Sequence, residues 1–473
     1  MGSGGPPMFI DRETELEYLE RRWQQSTGAE LVVLYGKRRV GKTELVKHFV
    51  RNKPHLYVLA ERTNDEQQRQ RFATAVGEHF NEPLLLGTPA PEWNRLLSYL
   101  GQRPERLVLA IDEFPYLIEA NPAIPSLLQR AWDEQWKNSR LFVLLLGSSV
   151  GMMETEVLGH RSPLFGRRTG QWKLTPFRFT DAIRFRPKDD FDSRMHYYAV
   201  AGGMPAYWLQ FEARAGFWEN LQDRVLRKGA FLYEEVEFLL REEVREPRNY
   251  FALLAAIAAG KRRLAEIVNA TGLTKSTANK YLSVLADLGI VHRELPVTES
   301  KPLKSKKGLY RLEDPFTRFW FEFIYPHRDR LEMGETRVVL KKIRETFPAY
   351  LGHVYEDAAR DILHRHSDAL PSFARIGRWW DRNQEIDLVG VDEERNSIIF
   401  GEVKWTAKPV GRDIYEALKT KASGVRWGRK ERQEAYCLFS RSGFSPNLTR
   451  GVRSEPLYLF HQDRLLARPQ FVR

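Results

Sequence analysis

At 473 residues, with 42% hydrophobic side chains, 27 Phe and 12 Trp, the chain is too long for one core and too apolar for disorder, so two to four packed domains are expected. A single cysteine, Cys437, excludes a disulfide framework or a cysteine zinc site, and no apolar run approaches the roughly 18 residues of a membrane span. The 74 Lys and Arg against 62 Asp and Glu leave a net charge of +12, which favours polyanionic partners such as DNA or RNA in a reducing cytoplasm.

Residues 1–7 have no positive region followed by an apolar one, so no secretory signal is expected; they look like an appended expression sequence, with Met8 as the natural start. Residues 9–16, FIDRETEL, lead into a helical pattern of Leu16, Leu19 and Trp23. The run 31–35, LVVLY, has the length and composition of a buried parallel strand. It ends in Gly36-Lys37-Arg38-Arg39-Val40-Gly41-Lys42-Thr43, and Glu44 opens a helical segment with Leu45, Val46 and Phe49 on one face. Strand, glycine loop and helix are the context of a nucleotide P-loop. Gly36 and Gly41 let the backbone N–H groups turn inward on phosphates, Lys42 reaches the β and γ phosphates, and the Thr43 hydroxyl can ligate Mg²⁺.

Further strands are predicted over 56–60, 107–111, 141–146 and 172–174, with helices between them, as in a parallel sheet covered on both faces. The run 107–111 feeds Asp112-Glu113. Asp112 is placed to hold the water shell of Mg²⁺, and Glu113 to orient and deprotonate an attacking water. The fourth strand ends at Gly147-Ser148-Ser149, where Ser148 or Ser149 could sense the γ-phosphate.

The opening F-x-x-R-E-x-E-L, the loop YGKRRVGKTEL, the LAIDEF stretch and the strand ending GSS resemble the archaeal-type ATPases of the AAA+/STAND class. Ser162-Pro-Leu-Phe-Gly-Arg-Arg168 and Gly202-Gly-Met-Pro-Ala-Tyr207 extend the resemblance. It implies that Pro205 contacts nucleotide from a lid. It also implies that Arg167 or Arg168 completes the phosphate site, often across a subunit boundary, and hence a homo-oligomer.

Farther on, residues 264–273 and 274–289 read as two helices about a glycine turn at Gly272, the spacing of a helix-turn-helix. Tyr281, Leu282, Leu285 and Leu288 form the core face of the second helix. Lys275, Ser276, Thr277, Asn279, Lys280 and Ser283 are left opposite, as groups that bond phosphates and base edges. Residues 290–312 read as a two-stranded wing with Lys301, Lys304, Lys306 and Lys307 at its tip, so the composite looks like a winged helix. It either reads DNA or packs on the ATPase and transmits its state.

A last unit is expected from Phe347: a helix carrying Glu356, strands over 375–380, 385–391 and 397–405, then a helix over 413–421 and a strand over 435–439. Asp387 lies in the second strand, and Glu402-Val403-Lys404 ends the third. This order resembles the PD-(D/E)xK nuclease fold and, more closely, the C-terminal domain that accompanies this ATPase family. Asp387 and Glu402 can share a Mg²⁺, Glu356 could complete its shell, and Lys404 alternates to the face of Glu402. Ile386 stands where the pattern has proline, so a non-cleaving docking fold is the alternative.

The expected architecture is thus α/β and multidomain. It comprises a P-loop core over 8–190, a helical lid over 191–246, a winged helix over 247–315, a helical linker over 316–346 and a nuclease-like domain over 347–473. ATP and Mg²⁺ are the expected cofactors, and DNA the expected partner.

Overall fold

The computed structural model describes residues 9–87, 89–244 and 246–470, so the appended-looking leader and Met8 lie outside it. Two compact units divide at Pro176 and Phe177. The boundary falls before the expected 190 because the stretch after Phe177 is tied into the second unit. There the Phe177 N–H donates to the Gly203 carbonyl at 2.8 Å, and the Phe179 N–H to Asp361 at 2.8 Å.

The first unit runs α1 (Glu13–Gln25), β1 (Glu30–Tyr35), α2 (Lys42–Val50), β2 (His55–Leu59), α3 (Asp65–Phe80), α4 (Trp93–Gly101), β3 (Leu107–Asp112), α5 (Phe114–Ala120), α6 (Ile124–Glu134), β4 (Leu141–Gly147) and β5 (Gly170–Lys173). Its five strands are all parallel, in the order β2-β3-β4-β1-β5. Every residue of β1, β3 and β4 is buried, as continuous apolar runs require when helices cover both faces. Strand β2, at one edge, alternates instead. The predicted strands all form, each within two residues of its expected ends, and β1, β3 and β4 deliver their carboxyl ends to one edge of the sheet.

In the second unit, α7 (Phe191–Ala201) and α8 (Phe231–Glu243) precede three helices, α9 (Pro247–Ala258), α10 (Leu264–Thr271) and α11 (Lys275–Asp287). The turn before α11 is made by Gly272 at φ +68°, and Thr274 caps α11 by accepting from the Thr277 N–H at 3.2 Å. Strands β6 (Val291–Glu294) and β7 (Leu309–Leu312) then pair antiparallel as a two-stranded ribbon.

Helix α12 (Thr336–Arg365) runs 30 residues through Pro348, so the expected boundary at 347 falls inside one helix. Proline ordinarily breaks a helix interior. Here Ile343 and Phe347 before it, and Tyr350, Leu351 and Val354 after it, are buried along one continuous stripe that holds both halves in line.

Strands β8 (Arg375–Asp381), β9 (Gln384–Asp392) and β10 (Ser397–Lys404) form an antiparallel meander. Helix α13 (Arg412–Ser423) leads to β11 (Gln433–Ser440), β12 (Leu457–His461) and β13 (Arg464–Ala467), completing a sheet ordered β13-β12-β11-β10-β9-β8. The ribbon connection rests on the edge of this sheet. The Val297 N–H donates to the Arg378 carbonyl at 2.9 Å, and Trp380 Nε1 donates to the Lys307 carbonyl at 3.2 Å.

Candidate functional site

The loop between β1 and α2 is a backbone cradle. Gly41, at φ +95°, stands just before the first turn of α2, and Gly36 passes so close to the next strand connection that a Cβ there would meet the Leu174 carbonyl oxygen at 2.3 Å. Arg39 takes φ +69°, a left-handed conformation that costs a side-chain-bearing residue about 1–3 kcal/mol. Lys42 is buried, and its ammonium donates to the carbonyls of Gly36 at 2.8 Å and Lys37 at 3.1 Å, which fixes it across the loop mouth. Val40 is buried beneath the loop and Arg38 donates to the Tyr116 hydroxyl at 2.5 Å, while Glu44 faces outward and pairs with Lys47 at 3.1 Å.

The acidic pair lies at the same edge. Thr43 Oγ1 donates to Asp112 Oδ2 at 2.7 Å, and the Glu113 N–H donates to Asp112 Oδ1 at 2.9 Å. Glu113 itself takes φ +52°, and its carboxylate accepts from the Ser148 hydroxyl and from the Ser148 N–H at 3.3 Å. P-loop, Asp112, Glu113 and Ser148 are therefore one connected cluster, as their positions at strand ends predict.

Arg167 and Arg168 lead into the amino end of β5, where the Thr169 N–H donates to the Leu31 carbonyl at 2.9 Å. That end is opposite the loop edge. Arg167 is held by Asp133 at 3.0 Å and Arg168 by the Leu158 carbonyl at 3.3 Å, so neither completes the phosphate site of its own chain in this arrangement. Pro205 opens a short helix of the second unit.

The second constellation is in the six-stranded sheet. Asp387 Oδ2 accepts from the Val403 N–H at 2.9 Å, and burial followed by the neighbouring charge of Glu402 pushes its carboxyl up to about 6. Glu402 is buried, and Lys404 donates to its Oε1 at 2.7 Å from the same face of β10. Lys421 of α13 donates to both Glu402 oxygens, at 3.0 and 2.9 Å. Glu356 does not join them. It pairs with the buried Arg378, with His353 Nδ1 at 3.4 Å from its other oxygen, and no group of three or more acidic, histidine or cysteine side chains suited to a metal occurs among the described residues. The expectation that Glu356 completes a three-carboxylate shell is thereby corrected: the buried Arg378, pulled down to about 10 first by desolvation, pairs with that carboxylate and, at 3.5 Å, with Glu385.

On α11, Lys275, Ser276, Asn279 and Lys280 are exposed and Thr277 is half-buried, so these groups share an accessible surface. Lys304, Lys306 and Lys307 are all exposed at the ribbon tip, and Lys307 also makes a surface ion pair with Asp381 of β8 at 3.6 Å.

Residues 9–211 match an ATPase domain predominantly from Archaea. Residues 320–417 match archaeal and bacterial proteins of unknown function, and residues 192–311 a domain of unknown function. An uncharacterised protein of Methanocaldococcus jannaschii is 36% identical over 421 residues, spanning 87% of this chain and 92% of that one. The chain belongs to this archaeal ATPase family. An uncharacterised ATP-binding protein of the same archaeon is 55% identical over 49 residues, 10% of this chain and 81% of that protein. Among solved structures, the Walker-type ATPase of Pyrococcus abyssi is similar over 66% of this chain and 96% of its own, at 21% identity and a TM-score of 0.51, a likeness of fold. Among the described residues no helix is long and apolar enough to cross a membrane.

Within the ATPase, three contacts escaped the sequence. Tyr57 of β2 donates to Asp112 Oδ2 at 2.5 Å, and burial, then this bond, raises its hydroxyl well above the ordinary tyrosine range. Arg12, the arginine of the opening F-x-x-R-E, is buried and donates to the carbonyls of Val40 at 3.0 Å and Thr175 at 2.9 Å, pinning the loop. Lys421 is the third. The motif around Arg12 was the one available signal; Tyr57 and Lys421 carry none in their own neighbourhoods.

Proposed function

We propose that this P-loop ATPase is an ATP-driven switch that binds DNA through α11 and the adjoining ribbon and cleaves it at Asp387 and Glu402. For hydrolysis of ATP, Lys42 would turn its ammonium from the Gly36 and Lys37 carbonyls to phosphate oxygens, and Glu113 would take the proton of the water that attacks the γ-phosphorus. The hydroxyl of Thr43 and the carboxylate of Asp112, 2.7 Å apart, are hard oxygen donors that fit Mg²⁺, which when bound would neutralise phosphate charge. Contact from Arg167 or Arg168 would then have to come from a second copy of the chain, and from Pro205 as part of a lid.

The three helices and ribbon of the middle region follow the order of a winged helix, and the helix, meander, helix and strand of the C-terminal region that of a PD-(D/E)xK domain. The cleavage reading is carried by one observation: Asp387 of β9 accepts at 2.9 Å from the N–H of Val403, the residue of β10 between Glu402 and Lys404, whose side chains share a face. Two carboxylates that repel in a dry site are a pair a divalent cation relieves. In the reaction, water would add to a DNA phosphorus, one P–O ester bond would break, and the departing oxygen would take a proton. Lys404 would stabilise charge on the reacting phosphate.

The double hold of Lys421 on Glu402 favours a second reading, a non-cleaving regulator in which two ammonium groups neutralise that carboxylate permanently. Calorimetry with Mn²⁺ on the full chain, with ATP absent and Asp112→Ala silencing the P-loop site, separates them. Cleavage requires a binding isotherm that Asp387→Ala abolishes, together with DNA scission lost in the same variant; no Mn²⁺ binding selects the regulator.

A further inference from the structure

The second unit holds a cavity of about 270 Å³ between the end of α9, strand β7, the helical stretch 315–324 and α12. Water occupies about 30 Å³ per molecule in the liquid, so there is room for a small organic ligand. Three arginines dominate its polar wall, Arg262, Arg311 and Arg318, with His353, Glu322 and Tyr310 beside them. Arg311 is buried and shared between Glu294 and Asp357 at 3.5 Å each, long for charge-assisted bonds. Arg318 donates Nη2 to Asp357 at 3.0 Å, yet its Nη1 is buried without a hydrogen-bond partner among the described residues.

Arg311 and Arg318 are answered by Glu294 and Asp357, whereas Arg262 forms no ion pair among the described residues. Burial and then the positive charge of Arg311 pull Arg262 below its ordinary value. Burial, then Arg262, Arg378, Arg318 and Arg311 in turn, hold His353 down as well. Arg318 is raised instead: desolvation pulls it down, and Asp357, Tyr350 and Asp314 together outweigh that. Burial lifts the Glu322 carboxyl above its ordinary value, and its oxygens can accept from hydroxyl groups.

We propose that this cavity binds a small phosphorylated molecule, its phosphate clamped by Arg262, Arg311 and Arg318 and its hydroxyl groups met by Glu322 and Tyr310. Guanidinium groups match phosphate oxygens in pairs, and Arg262, half-buried on this wall, is the one left open for such a pair. The site shares no residue with the P-loop. It joins β7 and α9 to α12, the helix that continues into the six-stranded domain, so an occupant would couple the helical element to the Asp387 region.

The test is calorimetry on the full chain carrying Lys42→Ala, so that the P-loop does not compete. The probes are inorganic phosphate and ribose 5-phosphate. One equivalent of each should bind, the ester more tightly, and Arg262→Gln should weaken both by roughly tenfold, the loss of about one charge-assisted bond. Arg262→Lys, which keeps the charge but not the planar fork, should fall between and serves in its place if Arg262→Gln does not fold. No binding, equal binding in the Arg262 variants, or phosphate binding no weaker than the ester, the mark of an adventitious ion only, would each overturn the assignment.

Discussion

Replacing Asp387 by Asn should stabilise the metal-free protein at alkaline pH, although it removes a residue of the candidate site. In the unfolded chain this carboxyl titrates at its ordinary 3.8; in the folded chain, burial and then Glu402 raise it to about 6. Between those values the folded protein holds a proton that the unfolded chain has released. Stability therefore falls as pH rises through that window and stays lost above it. At about 1.4 kcal/mol per pH unit, the interval corresponds to about 3 kcal/mol. Asparagine keeps the shape and an acceptor for the Val403 N–H but cannot ionise. Urea unfolding with EDTA, at pH 8 and at pH 4, should show the variant more stable by up to about 3 kcal/mol at pH 8 and the advantage gone near pH 4. Saturating Mg²⁺ should narrow the difference at pH 8 by stabilising only the wild type. A variant less stable than wild type at pH 8, or one with the same dependence on pH, would refute the placement of two close carboxylates.

Three other outcomes are expected. Glu113→Gln should bind ATP normally and hydrolyse it at least about 100-fold more slowly in a phosphate-release assay, because only proton acceptance from water is lost. Gly36→Ala should abolish nucleotide binding measured by fluorescent ATP titration, since its Cβ would lie 2.3 Å from the Leu174 carbonyl oxygen and the loop must move. In DNA-binding titrations over a salt series, replacing Lys304 and Lys306 together with Ala should flatten the slope by about two, and adding Lys307→Ala should flatten it further by less than about one, because Asp381 competes for that ammonium.

What could be read in advance followed local rules. The fully buried β1 and β4 appear in the chain as unbroken apolar runs, and the glycines of the P-loop stand where the backbone turns into α2. Asp112 and Glu113 were legible because a strand end fixes where its next residues emerge. Tyr57 was not. It reaches Asp112 only because β2 and β3 lie side by side in parallel, with Leu59 opposite Asp112, a register that no local pattern encodes. The same holds for Lys421, 19 residues beyond Glu402, which meets it because α13 lies against β10 with Tyr415, Leu418 and Ala422 buried beneath it. Glu356 shows the converse error. Its helix was placed well, but the guanidinium that claims its carboxylate comes from β8, and a one-dimensional reading has no means of ranking Arg378 above a metal ion.

The two acidic centres also meet opposite electrostatic demands. Asp112 is surrounded by neutral donors, the hydroxyls of Thr43 and Tyr57 and the Glu113 N–H, so its charge is solvated by dipoles and stays available to a cation that Thr43 can share. At the C-terminal site the donors fall unequally: Glu402 receives two ammonium groups, whereas Asp387 receives one backbone N–H. A cation entering there must displace or swing aside at least one lysine, and Lys404 and Lys421 are each about 30% exposed, with stems long enough to do so. Lysine is suited to that exchange, since it binds as a point charge on a flexible stem. An arginine fork on Glu402 would resist it. The residue type on α13 thus leaves Glu402 releasable, and whether Mn²⁺ releases it is what separates a nuclease from a regulator.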